Sequence, residues 1–383
     1  MRAMSDHIPA SIDPVKVARL NALCRRKKID TVLLRKRANI AWLTDGADMH
    51  VDLGSATGVG AVLWFAESIG RRPVLLTDNI ERDRLIEEER FDSETWEIDA
   101  PDWWVAQVSM DEVICSALEE VGSDIVRFIS DDQGRDRFQS IRTPLTDREV
   151  DAVRSLGRDS ARVMADLLMR FVQPGMSELE IAGRLTGDLR ALGILAPVVL
   201  IAADDRLNRY RHPIPTDNRV KGTVMVALCA QRLGLTVSIT RLVHFGPSLP
   251  DDLKRRHEAV CRVDAALHSA TRIGRRWCDC LAEGIAMYER CGFADEWRRH
   301  HQGGPMGYDL RDFKATPFET RTVQPRQLVG WNPSITGTKS EDTILTPDAG
   351  DAGASAPCEV ITAMSAWPVD EPTGRPAILL RRA

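Results

Sequence analysis

The sequence predicts an α+β chain of two domains, and three observations carry that expectation. Residues 14 to 143 alternate helical and β-rich patterns, residues from about 146 onward run in paired amphipathic helices, and among those helices lies a hairpin, "MVALCAQRLGLTVSITRLVHFG". Alternation implies a sheet covered by helices, whereas runs of helices with hairpins between them imply an α+β layer. We therefore expect a smaller α/β domain over 1–145 and a larger α+β domain over 146–383. At 383 residues, 43% hydrophobic and 28% charged, the chain carries enough apolar material for two cores.

The elements follow in order. "PVKVARLNALCRRKK" has apolar residues at helical spacing, and "TVLLRK" is a β-rich run behind Asp30. "GVGAVLWFA" and "RPVLLTD" read as strands, "NIERDRLIEEERF" and "DEVICSALEEVG" as helices, and "DIVRFIS" as a further strand. The second domain opens with two amphipathic helices broken by "QPG", and Ser177 and Glu180 are spaced as a capping box for the second. Beyond the hairpin, with its tight turn at Gly234, come helices within 251–274 and 280–292, then Gly- and Pro-rich strand segments to the end. No internal repeat or low-complexity segment interrupts this order.

Several function classes are disfavoured by composition. A net charge of -5 without a basic tract does not suit nucleic acid, which needs clustered Lys and Arg. No apolar run approaches the roughly 18 to 20 residues that span a bilayer, and the N-terminus lacks a signal-peptide core. A cytoplasmic protein with no membrane partner is expected. The eight cysteines are scattered and lack Cys-x-x-Cys spacing, and the Cys278/Cys280 gap is poor zinc geometry, so buried thiols are expected.

Four segments resemble, in order and spacing, those of the creatinase/prolidase/methionine aminopeptidase superfamily. They are "VQPGMSELEIAGRL", "GLTVSITRLVHFG", "HHQGGPMGYDLRD" and "GWNPSITGTKSEDTIL". "RANIAWLTDG" and "NIERDRLIEEE" are similar to the smaller N-terminal domain of creatinase and prolidase, so the likeness covers nearly the whole chain. It implies a C-terminal pita-bread domain behind a creatinase-type α/β domain, and a homodimer.

Metal-dependent members of that superfamily hold two divalent ions through two Asp, one His and two Glu, and the ions turn a bridging water into a nucleophile. Mapped by the resemblance, the Asp positions fall on Ala227 and Ser238, eleven residues apart (238 − 227 = 11), and the Glu positions on Asn332 and Glu341; the histidine falls on His301. His301 and Glu341 alone survive of five, too few to hold two cations. No metal cofactor is therefore expected, with a mononuclear divalent site using His212, His244 or His300 beside His301 and Glu341 as the minority alternative.

What survives suits acid/base work. His212 precedes Ala227 by fifteen residues (227 − 212 = 15), where the resemblance implies the proton-transferring histidine of metal-independent creatinase. A histidine pKa near 6.5 lets it take and return a proton; the bland alternative is a loop histidine bonded to a neighbour. Glu341 and Asp342 are adjacent in a β-rich segment and should point to opposite faces. The resemblance implies that Glu341 binds a substrate nitrogen, and a structural carboxylate paired with an Arg is its alternative reading. His301 could shuttle a proton or bond an oxyanion. Arg311 could anchor a carboxylate through its planar fork, or make a surface salt bridge. Tyr308, Asn332 and Ser238 are candidate polar groups of the pocket. The glycines of "QGGPMG" fit a close backbone approach rather than a phosphate loop.

Three functions follow as expectations. The first is a metal-independent, creatinase-like enzyme that hydrolyses a C–N bond, or does related acid/base chemistry, on a small polar molecule carrying a carboxylate and a nitrogen. The second is a catalytically silent binding module, like the peptidase-like domain of a histone chaperone. The third is an Xaa-Pro peptidase-like hydrolase with a rearranged mononuclear site.

Overall fold

Local capping signals start the main helices where the sequence places them. Asp13 accepts a hydrogen bond from Val15 N at 2.8 Å and opens helix Pro14–Lys27, with proline in the first turn, where its missing N–H costs no bond. Thr146 with Glu149, and Ser177 with Glu180, close reciprocal capping boxes on helices Asp147–Asp166 and Glu178–Arg190. These elements belong to a computed structural model that describes residues 12–89, 91–106, 127–131, 135–350 and 356–382. The chain divides into two units, Met1–Arg142 and Thr143–Ala383.

The first unit holds a mixed five-stranded sheet. Strands β1 (Thr31–Lys36), β2 (Thr57–Phe65), β3 (Val74–Leu76), β4 (Glu97–Asp99) and β5 (Phe128–Ser130) lie in the order β4-β3-β2-β1-β5. β2 runs antiparallel to β1 and β3, while β1–β5 and β3–β4 are parallel. Leu33, Leu63 and Leu76 anchor one apolar cluster of this sheet. Trp42, on helix Arg37–Leu43, is fully buried in this unit, and Arg37 pairs with Asp48. The helix expected at "DEVICSALEEVG" lies outside the described residues.

The second unit is built on two four-stranded sheets. One has the order β17-β8-β7-β6, from β6 (Leu195–Ala203), β7 (Thr223–Arg232), β8 (Leu235–Phe245) and β17 (Leu379–Arg381). The other, β14-β13-β10-β9, comprises β9 (Gly303–Met306), β10 (Leu328–Trp331), β13 (Asp342–Leu345) and β14 (Glu359–Val360). Short ribbons β11 (Ser334–Ile335) with β12 (Thr338–Lys339), and β15 (Val369–Asp370) with β16 (Arg375–Pro376), complete it. A bridge between Thr240 and Glu341 links β8 to the segment entering β13.

The hairpin β7–β8 turns through Leu233 and Gly234, both at positive φ (53 and 76). Two positive φ values in a two-residue loop match the right-handed twist of the paired strands, and this sets the register. Ala227 therefore stands opposite Thr240 and Cys229 opposite Ser238, so these four share one face. Helices Asp251–Ala270 and Trp277–Arg290 cover β10 and β13, burying Val263, Leu267, Trp277, Tyr288 and Trp331 together. Gly303 follows from a different constraint: a Cβ there would lie 2.1 Å from Gly330 O, so only glycine lets β9 approach β10 this closely. Among the described residues no helix is long and apolar enough to cross a membrane.

Candidate functional site

A cavity of about 430 Å³ lies in the second unit over the shared face of the hairpin. Ala227 and Cys229 form part of its floor, the edge strand β6 supplies Pro197 to Leu200, and His212, His301, Arg311, Asn332, Lys339 and Glu341 contribute its polar groups. The volume is within the range of small-molecule sites, and the mixture of an apolar wall with a few converging polar groups is typical of them.

The polar wall is set by alternation along residues 338 to 342. Lys339 and Glu341 point into the cavity. The residues before, between and after them turn the other way: Thr338 Oγ1 bonds His257 Nδ1 at 2.7 Å, Ser340 Oγ donates to Asp264 at 2.6 Å, and Asp342 pairs with Arg241 at 2.7 Å. Each outward side chain thus has a buried polar partner, and these partners fix which face Lys339 and Glu341 present. The expected opposition of Glu341 and Asp342 is what the structure contains.

Glu341 is engaged on both oxygens. Lys339 Nζ lies 2.8 Å from Oε2, Arg311 Nη2 lies 3.3 Å from Oε1, and Thr240 Oγ1 donates to Oε2 at 2.6 Å. Burial alone would raise the Glu341 carboxyl, but the charges of Lys339 and Arg311 outweigh it and hold the group below the usual carboxylate range. Glu341 is 3% exposed and Lys339 6%. Of the two readings of Glu341, a binder of a substrate nitrogen or a carboxylate paired with an Arg, the structure contains the ion pairing, with Lys339 as a second cation.

Ser238 lies beneath this group rather than in it. It is fully buried and does not line the cavity. Its hydroxyl, Met306 Sδ and the Arg311 guanidinium crowd around Gly330, where an added Cβ would meet them at 2.8, 2.8 and 3.0 Å. Ser238 Oγ and Arg311 Nη1 both approach Met306 Sδ, so the guanidinium stands near one position where metal-dependent relatives are expected to carry a carboxylate. Tyr308 is also placed elsewhere: it is buried, and its hydroxyl donates to Glu149 Oε1 at 2.7 Å, so it is a structural strut and not a pocket donor.

Three histidines converge at the opposite side. His212 and His300 share a hydrogen bond between their Nε2 atoms at 3.0 Å, and the His301 ring stacks on that of His300 with centroids 4.4 Å apart. One ring nitrogen from each lies within 4.8 Å of the others. Gln302 holds the turn, donating to His300 O at 2.6 Å while its own carbonyl accepts from Tyr288. Burial first, then the charge of Lys339, lowers His300 to about 2; burial, then Arg311 and Lys314, lowers His301 to about 3. His212 is lowered too, by burial and then Lys339, with Glu341 pulling the other way. All three rings are therefore neutral at physiological pH. His244 stands apart, bonded to Thr223 Oγ1 at 2.8 Å.

The residues present do not fit a dinuclear metal centre. Ala227 offers a methyl group, Ser238 is buried, Asn332 is neutral, and Glu341 is held between two cations. Divalent ions need several anionic oxygens, and this wall supplies lysine and arginine instead. The three imidazoles alone have the number and spread of a mononuclear nitrogen site.

Lys339 was not singled out in the sequence, although its place two residues before Glu341 in a β-rich segment puts both on one face. Cys229 was passed over as a buried thiol; it does line the cavity, but burial raises its thiol to about 11, so it is not a thiolate nucleophile. All seven cysteines among the described residues are free.

The comparisons with known proteins agree with this architecture. The prolidase from Pyrococcus horikoshii is 17% identical with a TM-score of 0.71, covering 91% of this chain and 98% of its own. Dipeptidase PepE from Mycobacterium ulcerans is 15% identical with a TM-score of 0.72, covering 98% of this chain and 100% of its own. The N-terminal domain of the FACT complex subunit SPT16 from chickpea is 11% identical with a TM-score of 0.65, covering 92% and 97%. No curated protein sequence matches. At these identities the likeness shows the fold, a pita-bread domain behind a smaller α/β unit. The family model for metallopeptidase family M24 matches residues 151–350, and the chain belongs to that family.

Proposed function

We propose that this chain is a metal-independent member of its family, an enzyme that hydrolyses a C–N bond in a small molecule carrying a carboxylate and a nitrogen, with His212 moving the proton. The observation that carries the reading is the ion-paired Glu341: Lys339 and Arg311 stand where a catalytic cation would be needed and neutralise the surviving acidic ligand. His212 borders the cavity as a neutral ring able to accept a proton. In the proposed step His212 takes a proton from water, the water oxygen bonds to the carbon, and the C–N bond breaks as the proton passes to the leaving nitrogen. His301 and Arg311 line the same cavity and can donate to the oxygen that gains charge. We further propose that it works in the cytoplasm as a homodimer.

The three-histidine cluster supports a second reading, a hydrolase with one transition-metal ion on His212, His300 and His301. One experiment separates these. Wild type and His212→Ala are assayed on a panel of amido and guanidino carboxylates, with chelator and with added Mn, Co or Zn, alongside metal analysis of the purified protein. Chelator-resistant turnover that disappears in His212→Ala supports the metal-free enzyme. Turnover only with stoichiometric metal supports the second reading. Binding without turnover by either protein leaves a silent binding module and overturns both.

A further inference from the structure

We infer that the cavity selects an N-acyl amino acid, a monoanion with an uncharged acylated nitrogen and an apolar side chain, and rejects ligands carrying an ammonium or guanidinium. This deepens the preceding reading by naming its substrate class, and rests on that reading for the position of the site.

Charge comes first. Two cations, Lys339 and Arg311, face the cavity against one carboxylate, Glu341, leaving an excess of one positive charge (2 − 1 = 1). Lys314 adds to this field, since it acts on both His212 and His301. The histidines are neutral and cannot offset it. A positively charged ligand therefore meets repulsion from every ionised group but one, and that one is already paired on both oxygens. A carboxylate meets the reverse.

The polar atoms left without partners narrow the class. Among the described residues, Asn332 Oδ1, His301 Nδ1 and Arg311 Nε have no hydrogen-bond partner, although Asn332 is only 4% exposed. These three side chains line the cavity, and buried polar atoms are ordinarily satisfied, so a ligand that reaches them through a small turn of the side chains would supply the missing bonds. Asn332 Oδ1 requires a donor such as an amide N–H, and Arg311 Nε–H an acceptor such as a carboxylate oxygen. An acylated nitrogen gives the donor without the positive charge of a free amine.

The remaining wall is apolar. Pro197, Val198, Leu200, Ile214 and Leu310 also line the cavity and offer a place to an aliphatic side chain or acyl group. A small polar cation such as a guanidino acid would leave this surface uncovered.

The test uses three probes that share the leucine side chain on the intact wild-type protein, by calorimetric titration: N-acetyl-L-leucine (anionic), its isosteric amide (neutral) and L-leucine amide (cationic, without the acyl group). The acid is expected to bind at least about 10-fold more tightly than the neutral amide, and the cation more weakly than either. The advantage of the acid should shrink with added salt and in Arg311→Met, and persist in Arg311→Lys. Because Arg311→Met could disturb Glu341, the wild-type ranking decides. Equal binding of acid and neutral amide, preference for the cation, or binding of none at millimolar concentration overturns the inference. Binding of N-acetyl-L-leucine without cleavage leaves the ligand class standing and counts against the catalytic reading. His212-dependent cleavage of a cationic substrate does the opposite.

Discussion

Lys339 Nζ sits 2.8 Å from Glu341 Oε2, two residues along one segment and on one face of it. This pair turns a position expected to accept a cation into one that carries its own. Replacing Glu341 by Gln leaves Lys339 buried without its counter-ion, and loss of one member of a buried pair costs about 3–5 kcal/mol. Urea unfolding should show that loss. The double change Lys339→Met with Glu341→Leu should recover most of it, since a well-packed apolar pair can replace a buried ionic one. A single change without effect would mean that the pair is solvated.

The depressed histidines give stability a direction with pH. His300 titrates at about 2 and His301 at about 3 in the folded chain, against about 6.5 for an unperturbed histidine. Between those values the unfolded chain binds protons that the folded chain does not. The folded state therefore loses stability as pH falls below about 6.5, and the loss continues towards the folded values. The urea midpoint should be lower at pH 5 than at pH 7, and the difference should be smaller in His300→Gln. An equal difference in wild type and variant would place the titration elsewhere.

Gly330 leaves space that Arg311 uses. An alanine methyl there would stand 2.8 Å from Ser238 Oγ and Met306 Sδ and 3.0 Å from Arg311 Cζ. Overpacking of this kind costs about 1–3 kcal/mol. Gly330→Ala should lower the thermal midpoint and, by displacing Arg311, weaken whatever anion the cavity holds. Unchanged stability together with unchanged binding would show that Arg311 is not confined there.

Restoring carboxylates should not restore a metal pair. In the double variant Ala227→Asp with Ser238→Asp, the carboxylate at 238 meets Arg311 first, and Lys339 still occupies Glu341. Metal analysis after dialysis against Mn or Co should find less than about one equivalent, because ligand charge is consumed internally. Two equivalents would show that the lysine and arginine yield readily.

Much of the framework was legible because its signals are local. The Ser177–Glu180 box, the strand Thr31–Lys36 and the Gly234 turn each depend on residues within a few positions of one another. The opposite faces of Glu341 and Asp342 followed from strand alternation, while the nearness of His212 and His301 came from the resemblance. Tyr308 was misread because its partner, Glu149, is 159 residues away, and no local pattern announces that bond. The pairing of Glu341 with an Arg was the alternative reading of that residue, but neither Arg311 nor Lys339 was assigned to it, for a related reason. Arg311 and Lys339 reach it from separate strands and loops, and only the assembled sheets show that a surviving acidic residue is already neutralised.

The alternation over residues 338 to 342 has an evolutionary consequence. Thr338, Ser340 and Asp342 tie the segment to His257, Asp264 and Arg241, while Lys339 and Glu341 touch only the cavity side. Framework and chemistry are thus written on separate letters of the same five-residue word. A lineage can exchange the pocket-facing pair, and with it the charge of the molecule it recognises, without disturbing the bonds that keep the sheet in register. Tolerance to paired exchange should fall on positions 339 and 341 together, and new ligand preferences in related chains should arise at the odd-numbered positions.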